Sequence, residues 1–187
     1  MDYNNVEQQI NEWVDKALIT THKIKIVLEG FQCNGHPYVE INIDNKNKFK
    51  GTFIGLIEHE VEYQVDKNKN CNIDIIMKHK TDNNVIFTDK GIIQNQYVII
   101  KDILVDNISL TKNNLYFWDE HTFIKEDGED IGKTNGLFHN GVWNITLPNP
   151  IMPGLNDIAQ NKKGNIFRSR YVEDESIQNL IDKVFYS

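Results

Sequence analysis

The 187-residue chain holds only two cysteines, two alanines, two arginines, four serines and four prolines, and each scarcity removes a class of protein. Cys33 and Cys71 lie far apart and form no CxxC pair, so neither a zinc site nor a dithiol redox motif is indicated, and two buried free thiols are expected. None of the serines (Ser109, Ser169, Ser176, Ser187) stands in a GxSxG turn, which argues against a serine hydrolase. There is no P-loop and no GxGxxG. Long apolar runs are also missing and mean hydropathy is -0.49, which excludes a membrane-spanning helix. Positive charge is short as well: 20 Lys+Arg against 27 Asp+Glu gives -7, without the broad positive field that phosphate backbones require, so nucleic acid is not an expected partner.

What is present in excess is isoleucine (26), asparagine (24) and lysine (18), a bias that A/T-rich codons would produce. The first residues, Met1 to Gln9, carry neither a basic nor an apolar segment of a secretory leader, so manufacture and use from the cytoplasm are expected. Val6, Ile10, Trp13, Val14, Ala17 and Leu18 recur at helical spacing and predict an amphipathic helix within residues 1–20. From Lys23 the period changes to two. Ile24, Ile26 and Leu28, then Val39, Ile41 and Ile43, then Val61, Tyr63 and Val65, then Ile73, Ile75 and Met77 alternate with polar neighbours, as strands with one face in a core do. The apolar run 97–110 predicts a central strand and 137–147 a last one, six to eight strands in all. The fold class expected is mainly β, an antiparallel jelly-roll-like β-sandwich over residues 21–153.

Pro148, Pro150 and Pro153, with Gly154 after them, predict the end of that domain. Residues 154–187 then read as a basic arm with Lys162, Lys163, Arg168 and Arg170, followed by a helix. Ile177, Leu180, Ile181, Val184 and Phe185 give that helix an apolar face, and Glu173 to Glu175 suit its N-terminal dipole.

Three constellations could carry chemistry. His59-Glu60-Val61-Glu62-Tyr63 resembles half of a zincin motif, but Tyr63 stands where the second histidine is needed. Glu58, Glu60 and Glu62 share a strand face, so a hydrolase using Glu60 and Glu62 can be written down; the plainer reading is a solvated face opposite Val61, Tyr63 and Val65. The stretch Tyr116 to Asp130 combines acids with aromatic rings. Asp119, Glu120, Asp127 and Asp130 are hard-oxygen candidates for Ca²⁺, and Tyr116 and Trp118 could stack on a sugar; here the plainer reading is a sandwich edge followed by an ordinary solvated turn. His139 is read as part of a turn between strands, and Trp143 as core.

The segments Cys71-Asn72-Ile73-Asp74-Ile75-Ile76-Met77, Thr88-Asp89-Lys90-Gly91-Ile92-Ile93, Val98 to Ile108, and Gly136-Leu137-Phe138-His139-Asn140-Gly141-Val142-Trp143-Asn144-Ile145-Thr146-Leu147-Pro148 carry a resemblance. Their strand and turn patterns resemble β-sandwich proteins of T4-like marine tailed phages, which are in turn similar to calcium-dependent xylan-binding carbohydrate modules. The resemblance implies a non-enzymatic virion structural protein in the tail, baseplate or head surface, present in multiple copies and assembled in the host cytoplasm. Its contacts with other virion proteins would come from Trp13 and Val14, from the four basic residues of the arm, and from Leu180, Ile181, Val184 and Phe185. The alternative it implies is a calcium-dependent carbohydrate-binding module for host adsorption, with Tyr116 and Trp118 on the glycan and the four acids of the same loop on calcium.

Overall fold

The structure, a computed structural model, describes residues 21–64, 69–111, 121–149 and 151. In these segments the chain forms thirteen strands: β1 (Thr21–Phe31), β2 (Tyr38–Ile43), β3 (Lys46–Thr52), β4 (Gly55–Gln64), β5 (Cys71–Lys78), β6 (Val85–Thr88), β7 (Gly91–Asn95), β8 (Tyr97–Val105), β9 (Ile108–Ser109), β10 (His121–Lys125), β11 (Asp130–Gly132), β12 (Gly136–Leu137) and β13 (Gly141–Leu147). One sheet has the order β12-β8-β1-β4, with β9 beside β8. A second has the order β11-β10-β13-β5-β2-β3, and β6 and β7 form a separate hairpin. The pairings in all three sheets are antiparallel.

Period-two alternation places one face of each of the two large sheets inward. Ile24, Ile26, Leu28, Val98, Ile100, Ile103 and Val105 of the first sheet share one apolar cluster with Val39, Ile41, Ile43, Ile73, Ile75, Met77, Phe123, Trp143, Ile145 and Leu147 of the second. The expected β-sandwich is therefore present, and its expected strands are found as β1, β2, β4, β5, β8 and β13. Seven further strands take the number above the expected six to eight: β9, β11 and β12 among them are two or three residues long and leave little periodicity to read, and β6 and β7 bury no residue. Cys33 and Cys71 are buried free thiols, as expected. The terminal helices, the hinge beyond Ile151 and the arm lie outside the described residues.

The run 97–110 departs from a simple strand. Pairing with β1 shifts between Val27 and Leu28, so that Lys101 has no partner there and the inward set moves from Val98 and Ile100 to Ile103 and Val105. This bulge also buries Asp102, whose carboxylate accepts from Ser109 Oγ at 2.7 Å and from the Thr111 hydroxyl. Asp106 and Asn107 then take positive φ values of 48° and 68° and reverse the chain into β9; Asp44 and Asn45, at 47° and 62°, do the same between β2 and β3. Two consecutive left-handed residues define the tight hairpin turn that matches strand twist, and Asp and Asn tolerate it best after glycine.

Trp143 is fully buried, and its indole N–H donates to the Thr134 carbonyl at 2.9 Å. Trp143→Ala removes the largest core side chain and strands that carbonyl; we expect a loss of about 3–5 kcal/mol in urea unfolding. A loss under about 1 kcal/mol would mean that the core does not centre on this residue.

Candidate functional site

Beyond β1 the chain crosses to the second sheet through residues 32–37, and beyond β5 it passes into the β6–β7 hairpin. These excursions are fastened together by amide side chains. Asn84, buried at the hairpin's entrance, donates to the carbonyls of Cys33 at 3.0 Å and Asn34 at 3.2 Å, and accepts from the Thr81 N–H at 2.8 Å. Gln96, buried at the exit, donates to the Gly35 carbonyl at 3.0 Å, while its own N–H donates to the Asn84 carbonyl at 2.9 Å. Asn34 and Gln94 add bonds of 2.7 and 3.1 Å to the carbonyls of Asn83 and Gln32. Each buried amide is thus satisfied, and a satisfied buried network fixes geometry more sharply than apolar contact does.

The clamp holds open a groove of about 480 Å³ lined by Glu29, Gly30, Phe31, Gln32, Ile54, Gly55, Ile93, Gln94, Asn95 and Tyr97. Phe31 and Tyr97 are cross-strand partners, and their rings stack at 4.4 Å and 11°; Phe138 continues the stack at 5.1 Å from Tyr97. Gly30 is required at the floor, because a Cβ there would meet the Phe53 ring at 2.8 Å and the Phe53 carbonyl at 3.1 Å. Ile54 and Ile93 are 50% and 66% exposed and extend the apolar wall. The polar rim is Glu29, paired with Lys101 at 3.1 Å, and the amides of Gln32, Gln94 and Asn95. Asn95 is oriented by Lys80, whose ammonium donates to its side-chain carbonyl at 2.6 Å and also to the Phe138 carbonyl. Burial lowers the Lys80 pKa. Among the described residues the Tyr97 hydroxyl and the Gln32 side-chain amide bond to no protein group, and so are available to a ligand.

Of the residues singled out from the sequence, Trp13, Val14, Tyr116, Trp118, Asp119, Glu120, Lys162, Lys163, Arg168, Arg170, Leu180, Ile181, Val184 and Phe185 lie outside the described residues. Asp127 and Asp130 lie in and after the exposed turn between β10 and β11. There each carboxylate accepts a backbone N–H two residues on, from Glu129 at 3.1 Å and Gly132 at 2.7 Å, and Lys125 pairs with Glu129 across the turn. No cluster of three or more His, Cys, Asp or Glu able to hold a metal occurs among the described residues, so these two acids do not by themselves fit a calcium ion. Residues 126–130 form a solvated turn, while Asp119 and Glu120, the other two acids of the expected set, lie outside the described residues.

Glu58, Glu60 and Glu62 are exposed on β4, and Lys25 and Lys23 pair with Glu58 at 3.3 Å and Glu60 at 3.7 Å. That is a solvated ion-paired face, not the enclosed pair of carboxylates that glycoside hydrolysis uses. His139 stands in the turn between β12 and β13, as expected; burial chiefly, then Lys125 and Lys80, lowers its pKa. The groove itself is a feature that sequence reasoning misses. Its only traces in sequence are Phe31 closing one strand and Tyr97 opening another, and nothing local reveals that the two pair.

At the opposite end of the sandwich the Tyr63 hydroxyl donates to Asp44 at 2.6 Å, beside Cys71. Burial first, and then the Asp44 charge, pushes the Cys71 thiol from 9.0 up to about 12; burial and the bond to Asp44 also raise the Tyr63 phenol above its ordinary 10.0. Groups with raised pKa values stabilise the fold fully below their unfolded values and lose that contribution as pH climbs through the folded ones. Stability measured by denaturant should therefore fall between pH 9 and 12, and the native thiol should resist thiol reagents at pH 8. Rapid native labelling of Cys71 at pH 8 would contradict the burial.

The fold defines the chain as an antiparallel β-sandwich with a clamped groove at one end. No protein-family model and no curated protein matches it. Two solved structures are similar: a calcium-dependent carbohydrate-binding module, vCBM60, from work on circular permutation between two families of such modules, and vCBM60 in complex with galactobiose. Each is 12% identical with a TM-score of 0.40; the first likeness covers 67% of this chain and 90% of that one, and the second 66% and 97%.

Proposed function

We propose that this chain is a non-catalytic carbohydrate-binding module whose ligand, a neutral saccharide, occupies the groove beside Tyr97. The observation that carries this reading is the pairing of an apolar wall, Phe31, Tyr97, Ile54 and Ile93, with a rim of planar polar groups, Glu29, Gln32, Gln94 and Asn95. A sugar ring presents the same two characters, C–H faces and a girdle of hydroxyls, and a shallow site of this kind orients it by stacking plus a few hydrogen bonds. Clamping by Asn84 and Gln96 means that the site is formed before the ligand arrives, which lowers the ordering cost of binding. The net charge of -7 speaks against phosphorylated ligands. The virion role that the resemblance implied has no observation in the described fold behind it.

The groove offers a single carboxylate, Glu29, already engaged by Lys101, so a saccharide held there is bound without calcium. A panel of neutral oligosaccharides, galactobiose included, titrated with calcium and again with EDTA, tests this directly. Binding should survive EDTA, and Tyr97→Ala should weaken it by about 1–3 kcal/mol while the far-ultraviolet spectrum stays native. Binding that vanishes in EDTA and is indifferent to Tyr97 would move the site to the acidic segment 119–130. Silence across the panel would end the carbohydrate reading.

A further inference from the structure

The outer face of the second sheet carries an ordered array that the groove does not use. Register places Asn47 opposite Asn42, Asn42 opposite Asp74, Asp74 opposite Asn144 and Asn144 opposite Thr122, so one polar row crosses five neighbouring strands. The inward neighbours of Asn42, Asp74, Asn144 and Thr122, namely Ile41, Ile43, Ile73, Ile75, Trp143, Ile145, His121 and Phe123, are buried, which fixes these four on the outside; Asn47, on β3 where no residue is buried, joins them through its bond to Asn42. Bonds between members hold the planar groups in line: Asn47 donates to Asn42 Oδ1 at 3.0 Å and Asn144 to Asp74 Oδ1 at 2.6 Å. These bonds leave Asn42 Nδ2, Asp74 Oδ2 and Asn144 Oδ1 without a protein partner among the described residues, a donor and two acceptors on successive strands.

Directly beside this row runs an apolar one. Ile76, Val142 and Ile124 are cross-strand neighbours, and Val142 and Ile124 are 37% and 45% exposed. On β2 and β3 this row continues into Glu40 and Lys50, with Glu40 paired to Lys78 at 3.0 Å, while the first sheet's outer face carries three such pairs, of Lys23, Lys25 and Lys101 with Glu60, Glu58 and Glu29.

From this juxtaposition we infer a second binding surface, distinct from the groove: the outer face of the second sheet takes a linear, neutral, β-linked polysaccharide lying across the strands along the row from Asn47 to Thr122. The inference rests on the carbohydrate reading for its ligand class but uses none of the groove's residues. Strands recur every ~4.8 Å, so the row's four steps span roughly 19 Å, and each step is comparable to one sugar unit of an extended β-linked chain. The amide and carboxylate row meets hydroxyls, while the Ile76, Val142 and Ile124 row meets the C–H faces. With one carboxylate already bonded to an amide, the row has no cationic group with which to favour a charged polymer.

Affinity electrophoresis of the full chain through gels containing hydroxyethylcellulose or glucomannan tests the surface, with isothermal titration of a disaccharide in parallel. Asn42→Ala/Asn144→Ala should weaken polymer binding by about tenfold or more and leave disaccharide affinity unchanged. Ile124→Lys, at a half-exposed position that takes no hydrogen bond from the core, should do the same with unaltered thermal unfolding, so loss of fold cannot mimic the effect. Tyr97→Ala should show the reverse pattern. Polymer retardation unchanged in both outer-face variants overturns the platform while the groove stands. Retardation lost in those variants, with no disaccharide bound anywhere, supports the platform and overturns the groove. No retardation of the wild type by either polymer overturns the platform outright.

Discussion

The register of the two sheets is the constraint from which everything else in this molecule follows. Side chains alternate along a strand with a period of two, so a slip of one residue would turn Ile41, Ile73, Ile75 and Ile145 out to water and bring Asn42, Asp74 and Asn144 into the core. Burying a single unpaired amide or carboxylate costs more than any one apolar contact returns. The pairing is therefore locked by the inside of the sandwich, and the outside inherits the alignment. A polar row that crosses five strands is thus a by-product of the core's own arithmetic, as is the Phe31–Tyr97 stack that the β1–β8 pairing brings together.

Where the register is interrupted, the molecule gains its special features. The bulge in β8 lets one strand serve the core on both sides of Lys101 and gives buried Asp102 its hydroxyl partners. The β6–β7 hairpin belongs to neither large sheet, and it exposes Phe87 and Ile92 at 65% and 59%. Asn84 and Gln96 fasten it to the β1–β2 connection by side-chain amides. Without those amides the hairpin would be a two-stranded element of marginal stability, and the groove would lose a wall.

Much of the fold is legible in the sequence because strand periodicity is a local signal. Ile24, Ile26 and Leu28, or Ile73, Ile75 and Met77, announce an inward face without reference to any other segment. The two-residue strands are not legible, and neither is the bulge, since the run 97–105 is apolar on both sides of the displaced residue. The groove illustrates the harder limit. Its residues come from the end of β1, the β3–β4 connection and the passage from β7 to β8, short stretches with no spacing rule between them. The glutamates of β4 show how far alternation reaches: it places Glu58, Glu60 and Glu62 on one solvated face, and the structure adds the cross-strand lysines that pair with Glu58 and Glu60.

If a saccharide binds where the pairing of β1 with β8 and the clamped hairpin create an apolar wall with a polar rim, the backbone there must sense it. Amide chemical-shift mapping during titration with a neutral oligosaccharide reads this out residue by residue. Perturbations should cluster at residues 29–32, 54–55 and 93–97. Perturbations confined to the turn 126–130, or scattered over the ion-paired face of β4, would contradict a groove-bound ligand.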